Sequence, residues 1–384
     1  MIGDYGTPAA GPLRFAEILR RPVSPRWGPD DALAEERRAP SNSEMRLTWN
    51  RLHLKQAVPF RTAKAVRTDK QTLQIHLQYE GVVGWGEAAP TDTYRQDLAS
   101  VERTLNAVAP SLTGKNPFHL ETTLNELITQ HADQLATIAA IDAALHDWIG
   151  KKLSVPVVRL LGVDERTAPK TSYTLGIDDP DAIARRAEQA AGYPIFKLKT
   201  GSEDDDAMLE AIRRVAPHKP IRLDANAAWT SDEAIENIRR LERFGIEFVE
   251  QPLPADDYEG LARVRENVNV PIVADESCVT LMDVPRCAGA VDGINIKLSK
   301  CGGIREAHKM IHVARALGLK VMLGCMIESE LGIAAAAQLA PLADWLDLDG
   351  HLLISDGPFV GLGGQDGRLT IAGGPGLGVR PRDG

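Results

Sequence analysis

The sequence predicts an α/β protein whose larger part is a barrel of eight parallel strands, with a smaller α+β domain ahead of it. Two patterns support this. Three strand patterns followed by three helical patterns occupy the first part of the chain, and from Thr171 onward short apolar runs alternate strictly with helical periodicity. Eight parallel strands joined by crossover helices close into a barrel more readily than they remain an open sheet.

The N-terminal region divides into an extension and a capping domain. Residues 1–44 contain six prolines and few apolar residues, which predicts a disordered extension. Residues 45–165 form the predicted α+β capping domain. Its strands are Arg46–Leu54, Thr72–Tyr79 and Val82–Glu87, the last two joined by a tight turn at Glu80-Gly81, and its helices are Arg95–Leu112, His119–Gln130 and Gln134–Ile149, the last ending at Gly150.

Residues 166–354 form the predicted barrel. Its strands are about 171–177, 195–199, 221–224, 247–250, 271–274, 293–297, 320–323 and 345–348. Helix signals lie between them: Asp179 is an N-cap followed by a proline, and the capping box from Thr230 to Glu233 opens a helix that should end at Gly245. The glycine-rich residues 355–384 are expected to return and pack on the capping domain.

Composition excludes several classes of protein. A net charge of −9 and a pI near 5.6 argue against nucleic-acid binding. No apolar run approaches the 18 residues that a membrane span needs, and the N-terminus has no apolar segment of a secretory signal. The four cysteines form no CxxC pair. Together with the charge and the lack of long apolar runs, this predicts a cytoplasmic protein without nucleic-acid or membrane partners. Homo-oligomerisation is left open.

Ionisable residues recur at one point of successive βα units. From Lys199 the steps are 25, 26, 25 and 22 residues, to Asp224, Glu250, Asp275 and Lys297. About 25 residues accommodate one strand, one helix and two short loops, and the ends of barrel strands are where active sites lie. Three carboxylates on adjacent strands, about 4.8 Å apart, would repel unless a cation joins them. An all-oxygen ligand set predicts Mg²⁺, with Mn²⁺ as a substitute.

Three lysines lie near the predicted metal. Lys197 and Lys199 point to the same face of the second strand, and Lys297 ends the sixth. The second and sixth strands of an eight-stranded barrel face each other, so Lys199 and Lys297 can approach one carbon from opposite sides. One base can then remove a proton and the other can return one, which inverts the carbon. We expect Lys197 and the cation to lower the pKa of Lys199 and to stabilise the charge that forms next to a carboxylate.

Several motifs resemble one known family. Lys197-Leu198-Lys199, Leu223-Asp224-Ala225-Asn226, Val249-Glu250-Gln251-Pro252, Ala274-Asp275-Glu276-Ser277 and Asn295-Ile296-Lys297-Leu298 are similar to the muconate-lactonizing subgroup of the enolase superfamily. Asp347-Leu348-Asp349, preceded by Gly324-Cys325-Met326-Ile327-Glu328-Ser329, resembles the dipeptide epimerases of that subgroup. The resemblance spans about residues 46–384.

The resemblance implies a modified (β/α)7β barrel with an enolase-like capping domain, an isomerase activity and Mg²⁺. It implies that Lys199 and Lys297 are the acid/base pair, that Lys197 assists at the enolate, and that Asp224, Glu250 and Asp275 hold the metal. It also implies that Thr174 contacts the substrate carboxylate. The remaining residues expected to bind substrate are Asn226, Cys325, Met326, Ile327, Asp347, Asp349 and Lys64.

Asp347 and Asp349 favour a dipeptide substrate. Strand eight faces strand four across the barrel, so this acidic pair should lie opposite the metal and bind the ammonium group of a dipeptide whose carboxylate meets the metal. A muconate-type cycloisomerase or an o-succinylbenzoate synthase would not need the pair. A metal-free Schiff-base lyase and a non-enzymatic binder are weaker alternatives. The sequence leaves open which side chains the dipeptide substrate carries, because Lys64 occupies a loop position where relatives specific for glutamate carry arginine.

Overall fold

An antiparallel sheet of three strands opens the part of the chain that the computed structural model describes, residues 44–382. Its strands are β1 (Arg46–Arg61), β2 (Val66–Tyr79) and β3 (Val82–Ala88), in that order. Glu80 and Gly81 both have positive φ, 45° and 74°, which confirms the tight turn between β2 and β3. The predicted extension, up to residue 43, lies outside the described residues.

Strands β1 and β2 are longer than the sequence predicted. They pair as far as Arg61 opposite Val66, so Lys64, expected in a loop, lies in the turn at residues 62–65 that ends this hairpin. The side chains of this end are largely exposed, and apolar and polar residues do not alternate along it. The hydrophobic alternation by which the sequence defined the strands is therefore missing here, although backbone pairing continues.

Helices cover one face of this sheet. They are α1 (Leu98–Leu112), α2 (Leu120–Gln130), α3 (Leu135–Leu153) and the short α4 (Val157–Leu160). The prediction that the third helix ends at Gly150 is wrong, because α3 continues through this residue and ends where Ser154 adopts a left-handed conformation, φ 58°. A Cβ at Gly150 would lie 2.7 Å from the Cα of Gly376. Gly150 thus permits a close approach of two backbones and does not end the helix.

The barrel is confirmed. Its parallel strands are β4 (Tyr173–Leu175), β5 (Phe196–Lys199), β6 (Ile221–Asp224), β7 (Ile246–Glu250), β8 (Ile272–Ala274), β9 (Gly293–Ile296), β10 (Lys320–Gly324) and β11 (Trp345–Asp347). Each pairs with the next, and a bridge between Thr171 and Leu346 joins the last strand to the segment leading into the first. This bridge closes the sheet.

Helices between the strands surround the barrel. They are α5 (Pro180–Gln189), α6 (Asp205–Val215), α7 (Ser231–Leu241), α8 (Tyr258–Asn267), α9 (Val284–Cys287), α10 (Leu298–Cys301), α11 (Ile304–Ala316) and α12 (Glu330–Ala337). The predicted capping box at Thr230 and Glu233 is present. Inside the barrel, Phe248, Val273, Met322 and Trp345 form a buried cluster. The interior is therefore packed, and the site must lie at the strand ends.

The C-terminal segment contacts both parts of the molecule. Strands β12 (Phe359–Val360) and β13 (Arg380–Pro381) form a small separate sheet. The N–H of Leu377 donates to Asp147 in α3, 2.8 Å away, and the carbonyl of Gly376 accepts from Val157. In residues 44–382 no helix combines the length and apolarity that a bilayer crossing requires.

Candidate active site

A cavity of about 210 Å³ lies between the capping sheet and the carboxyl ends of the barrel strands. The capping side is formed by residues at the far end of the β1–β2 hairpin and by the loop after β3, including Tyr94. The barrel side brings together side chains from strands that are far apart in sequence. This is the edge at which parallel-barrel enzymes carry their catalytic groups.

Most residues nominated from the sequence line this cavity. The lysines and acids among them are Lys64, Lys197, Lys199, Asp275, Lys297, Asp347 and Asp349, and the other nominated side chains are Thr174, Asn226, Cys325, Met326 and Ile327. Asp224 and Glu250 do not line it. They lie one layer deeper, fully buried and in contact with the lysines that do.

Lys197 occupies the centre of the site. Its Nζ lies 2.6 Å from Glu250 Oε2, 2.6 Å from Asp347 Oδ2 and 3.0 Å from Asp224 Oδ2. Burial alone would lower the pKa of Lys197, but these carboxylates raise it well above its ordinary value. These carboxylates therefore favour the ammonium form of Lys197. A positive charge at this position agrees with the assisting role expected for Lys197.

The two outer lysines lie on opposite walls. Lys199 Nζ is 2.5 Å from Asp224 Oδ2, and Lys297 Nζ is 2.7 Å from Asp275 Oδ2. Strand β5 and strand β9 are separated by three strands on either side of the closed barrel. Burial would lower the pKa of Lys297, but Asp275 and Glu250 raise it well above its ordinary value. The arrangement places two amines on opposite walls of one cavity, which Lys197 also lines.

Three carboxylates end neighbouring strands. Asp224 pairs with Glu250 in the β6–β7 register, and Asp275 directly follows β8. Burial and the adjacent Asp224 raise the pKa of Glu250 to about 7, whereas nearby lysines outweigh burial and lower the pKa values of Asp224 and Asp275. The acids thus repel one another, and the ammonium groups offset that repulsion.

The carboxylates of Asp224, Glu250 and Asp275 are the kind of ligand that a hard divalent cation prefers. All three side chains supply oxygen, and Glu250 Oε2 is a buried atom that accepts no hydrogen bond of good geometry although Lys197 lies beside it. Within residues 44–382, no three His, Cys, Asp or Glu side chains already converge as a ready ligand cluster. Lysine ammonium groups engage the carboxylates instead, and a bound cation would take over these contacts.

The acidic pair after strand eight differs from the expectation in one respect. Asp347 lies across the barrel from Glu250, but Lys197 and the Ser172 hydroxyl already contact it. Asp349 accepts a hydrogen bond from the N–H of Thr174, 2.6 Å away, and burial together with Asp347 raises its pKa to about 7. Thr174 is directed toward this acidic pair. Within residues 44–382, Asp347 thus forms an ion pair with Lys197, whereas Asp349 forms none.

Backbone strain accompanies the strand ends. Asn226, Ala227 and Gln251 have positive φ values of 47°, 62° and 36°, which side chains other than glycine rarely adopt. The N–H of Asn226 donates to Asp224 Oδ1 at 3.0 Å. These tight turns aim the preceding carboxylates inward, and strain of this kind is common at functional sites.

The sequence reasoning missed several residues of the site. Lys70, Tyr94 and Glu276 line the cavity, and Lys64 lies 3.4 Å from Glu276. A third buried lysine of the site, Lys300, donates to Asp275 Oδ1 at 2.6 Å from the side away from the cavity. Glu276 stands in the motif Ala274-Asp275-Glu276-Ser277, and Lys300 follows Lys297 by three residues, but neither position by itself shows that the side chain reaches the site.

Comparison with known proteins gives a consistent result. Residues 46–162 match the mandelate racemase / muconate lactonizing enzyme N-terminal domain, and residues 182–384 match the enolase C-terminal domain-like family. An L-Ala-D/L-Glu epimerase of Bacteroides thetaiotaomicron is 39% identical over 321 residues, covering 83% of each chain.

Solved structures extend the comparison. A dipeptide epimerase of Enterococcus faecalis, complexed with Mg and L-Leu-L-Tyr, has a TM-score of 0.83 and 34% identity over 88% of this chain and 99% of its own. An N-succinyl Arg/Lys racemase of Bacillus cereus has a TM-score of 0.83 and 27% identity over 88% and 96%. The chain therefore belongs to the mandelate racemase / muconate lactonizing enzyme family of enolase-like proteins.

Proposed function

We propose that this protein is a Mg²⁺-dependent dipeptide epimerase, an isomerase that inverts the α carbon of the C-terminal residue of a dipeptide. The observation that carries the proposal is the position of Lys199 and Lys297 on opposite walls of one cavity, above three buried carboxylates. The epimerase relative at 39% identity and the dipeptide-bound structure at 34% support the same assignment.

The two outer lysines exchange protons with the substrate. In its amine form, one lysine takes the α proton, and the electrons of the C–H bond move into the adjacent carboxylate to form an enolate. Asp275 and Glu250 raise the pKa of Lys297, so a cation held by these two acids would favour the amine form that this step needs. The other lysine, as an ammonium ion, returns a proton to the opposite face of the carbon. The positive charge of Lys197, which the neighbouring carboxylates favour, lies beside this space and stabilises the developing negative charge.

Asp224, Glu250 and Asp275 would hold the cation. When bound, Mg²⁺ supplies Lewis-acid stabilisation of the charge that develops on the substrate carboxylate. Mn²⁺ should substitute, because it accepts the same oxygen ligands.

The four cysteines are free thiols, which supports a reducing compartment such as the cytoplasm.

The dipeptide assignment depends on Asp349. A substrate whose carboxylate lies near Lys197 and the metal ligands would place a terminal ammonium group toward Asp349, which lines the same cavity. Ionised Asp349 would then form an ion pair with the substrate, whereas it forms none with the residues 44–382. Cycloisomerases and o-succinylbenzoate synthases share the lysines and the metal but act on substrates without an ammonium group, so they leave Asp349 unexplained.

The test is α-proton exchange in D2O with a library of L,L- and L,D-dipeptides, followed by mass spectrometry and chiral separation. We expect deuterium at the α carbon of the second residue, loss of exchange after chelation, and recovery on adding Mg²⁺. Exchange that persists in EDTA, or trapping of a lysine adduct by borohydride, would favour the Schiff-base alternative. Absence of exchange into every dipeptide of the library would overturn the assignment.

A further inference from the structure

Lys300 is a fully buried lysine that the proposed chemistry does not use. It belongs to the short helix α10, and its side chain is 0% exposed. Its Nζ is surrounded by four oxygens, those of Asp275 Oδ1 at 2.6 Å, Asp275 O at 2.7 Å, Asn295 O at 2.8 Å and Cys278 O at 3.0 Å. An ammonium ion has three protons, so none remains for a substrate. Lys300 can influence the reaction only through its partners.

The hydrogen bonds of Asp275 show that it is the partner through which Lys300 reaches the site. Its N–H donates to Gln251 Oε1 at 2.9 Å, and its carbonyl and Oδ1 both accept from Lys300. Only Oδ2 faces the cavity side, where Lys297 Nζ lies 2.7 Å away. The backbone and one oxygen of this carboxylate are therefore fixed from behind, and the other oxygen is presented to the site.

Lys300 also joins the two segments that carry an acid and a base. The carbonyls of Asp275 and Cys278 belong to the loop after β8, and the carbonyl of Asn295 belongs to β9, two residues before Lys297. Its charge compensates one of the three buried carboxylates. A neutral residue here would leave Asp275 Oδ1 without a partner in a dry interior, where the carboxylate could rotate to share both oxygens with Lys297.

We propose that Lys300 is a positioning residue for Asp275, holding Oδ1 so that Oδ2 is presented to a divalent cation and to Lys297. This inference rests on the proposed function, since it takes Asp275 as a metal ligand. Groups that orient a metal ligand from behind are commonly worth about 10- to 100-fold in metal affinity. Loss of Lys300 should therefore weaken metal binding even in the absence of substrate.

The experiment is calorimetric titration of Mg²⁺, and in parallel Mn²⁺, into the metal-free protein and two variants. Lys300→Met removes the charge and keeps an unbranched side chain. Gln338→Met is the matched control, because Gln338 is also fully buried and ties Val158 to Ala334, Ile371 and Leu377 without contacting the site. Both variants should lower the melting temperature.

We expect Lys300→Met to raise the metal Kd at least about tenfold and Gln338→Met to leave it within about twofold. If Lys300→Met does not fold, Lys300→Gln, which keeps a donor but no charge, should raise the Kd at least about threefold. A Lys300 variant that binds metal like the wild type overturns the inference and leaves the proposed function intact. A wild-type protein that binds neither cation overturns the proposed function itself.

Discussion

Glu87, near the end of capping strand β3, accepts hydrogen bonds from the backbone N–H and the hydroxyl of Ser329, at the start of barrel helix α12. The N–H of Gly332 donates to the same carboxylate at 3.2 Å. A capping-domain acid thus satisfies the free N–H groups at a helix N-terminus of the barrel. This contact joins the two sides of the cavity.

Glu87→Ala should destabilise the protein by about 2–4 kcal/mol, because it leaves several buried donors without an acceptor. Burial raises the pKa of Glu87, so its charge is costly, and Glu87→Gln should cost less than Glu87→Ala. Glu126→Ala, which removes an exposed ion pair with Lys115, is the control and should change the free energy of unfolding by at most about 0.5 kcal/mol. Urea unfolding measures all three, and equal effects of the two alanine variants would contradict the prediction.

Glu328 should make stability depend on pH. Burial and the nearby Glu87 raise its pKa from 4.5 to about 8. Between these values the folded protein holds a proton that the unfolded chain has released, so stability falls as the pH rises through this interval. Glu328→Gln removes this effect and keeps an oxygen that can accept from the N–H of Met326.

We therefore expect Glu328→Gln to stabilise the protein relative to wild type by on the order of a few kcal/mol at pH 8 and to change its free energy of unfolding little at pH 4.5.

Glu102 supplies a control in which the pKa is shifted in the opposite direction. Its hydrogen bond with Arg51 lowers its pKa, so Glu102→Gln should lose stability above that pKa and gain none at pH 8. The measurement is the free energy of unfolding of wild type and both variants from pH 4.5 to pH 8. If Glu328→Gln stabilises the protein equally at both pH values, the raised pKa of Glu328 is not the cause.

Lys199 and Lys297 should show opposite stereochemical preferences. Replacing either by Met should abolish epimerisation, because each proton transfer needs its own base. Lys199→Met should lose α-proton exchange with one epimer by about 10²- to 10⁴-fold and retain exchange with the other, and Lys297→Met should show the reverse. Deuterium incorporation into each separate epimer is the measurement. Loss of exchange with the same epimer in both variants would place the two lysines on one face.

Asp349→Asn should discriminate between substrate classes. Removing a buried charge that pairs with a substrate ammonium group should lower kcat/KM for dipeptides about 100-fold or more. An N-succinyl amino acid has no ammonium group, so any racemisation of it should be unchanged or faster. Steady-state kinetics with both substrates provide the comparison. If dipeptide turnover is unaffected, Asp349 does not bind the substrate terminus.

Gly150 should resist replacement although it lies within a helix. Alanine normally favours helix by about 1 kcal/mol over glycine. At this position a Cβ would lie 2.7 Å from the backbone of Gly376, so Gly150→Ala should destabilise by about 1–3 kcal/mol. Gly114→Ala is the control, since a Cβ there meets nothing within 4 Å. Thermal unfolding of the two variants should separate them clearly, and a neutral Gly150→Ala would refute the packing role.

The sequence alone determined the barrel and the positions of its chemical groups. Periodic spacing predicted strands such as 221–224, which the structure reproduces as Ile221–Asp224. Strand alternation also predicted that Lys197 and Lys199 share one face, because the side-chain period of two depends only on local geometry. The capping box at Thr230 was readable for the same reason, since its donors and acceptors lie within three residues.

Tertiary structure decided everything that depends on contacts between distant segments. It showed that Gly150 meets Gly376, that Lys197 joins Glu250 to Asp347, and that Lys300 supports Asp275. No local pattern records such pairings, because hydrogen bonds and counter-charges form between side chains that only the closed barrel brings together. A sequence can therefore show which groups stand at the ends of the strands, whereas their partners, and hence their charges, follow from the fold.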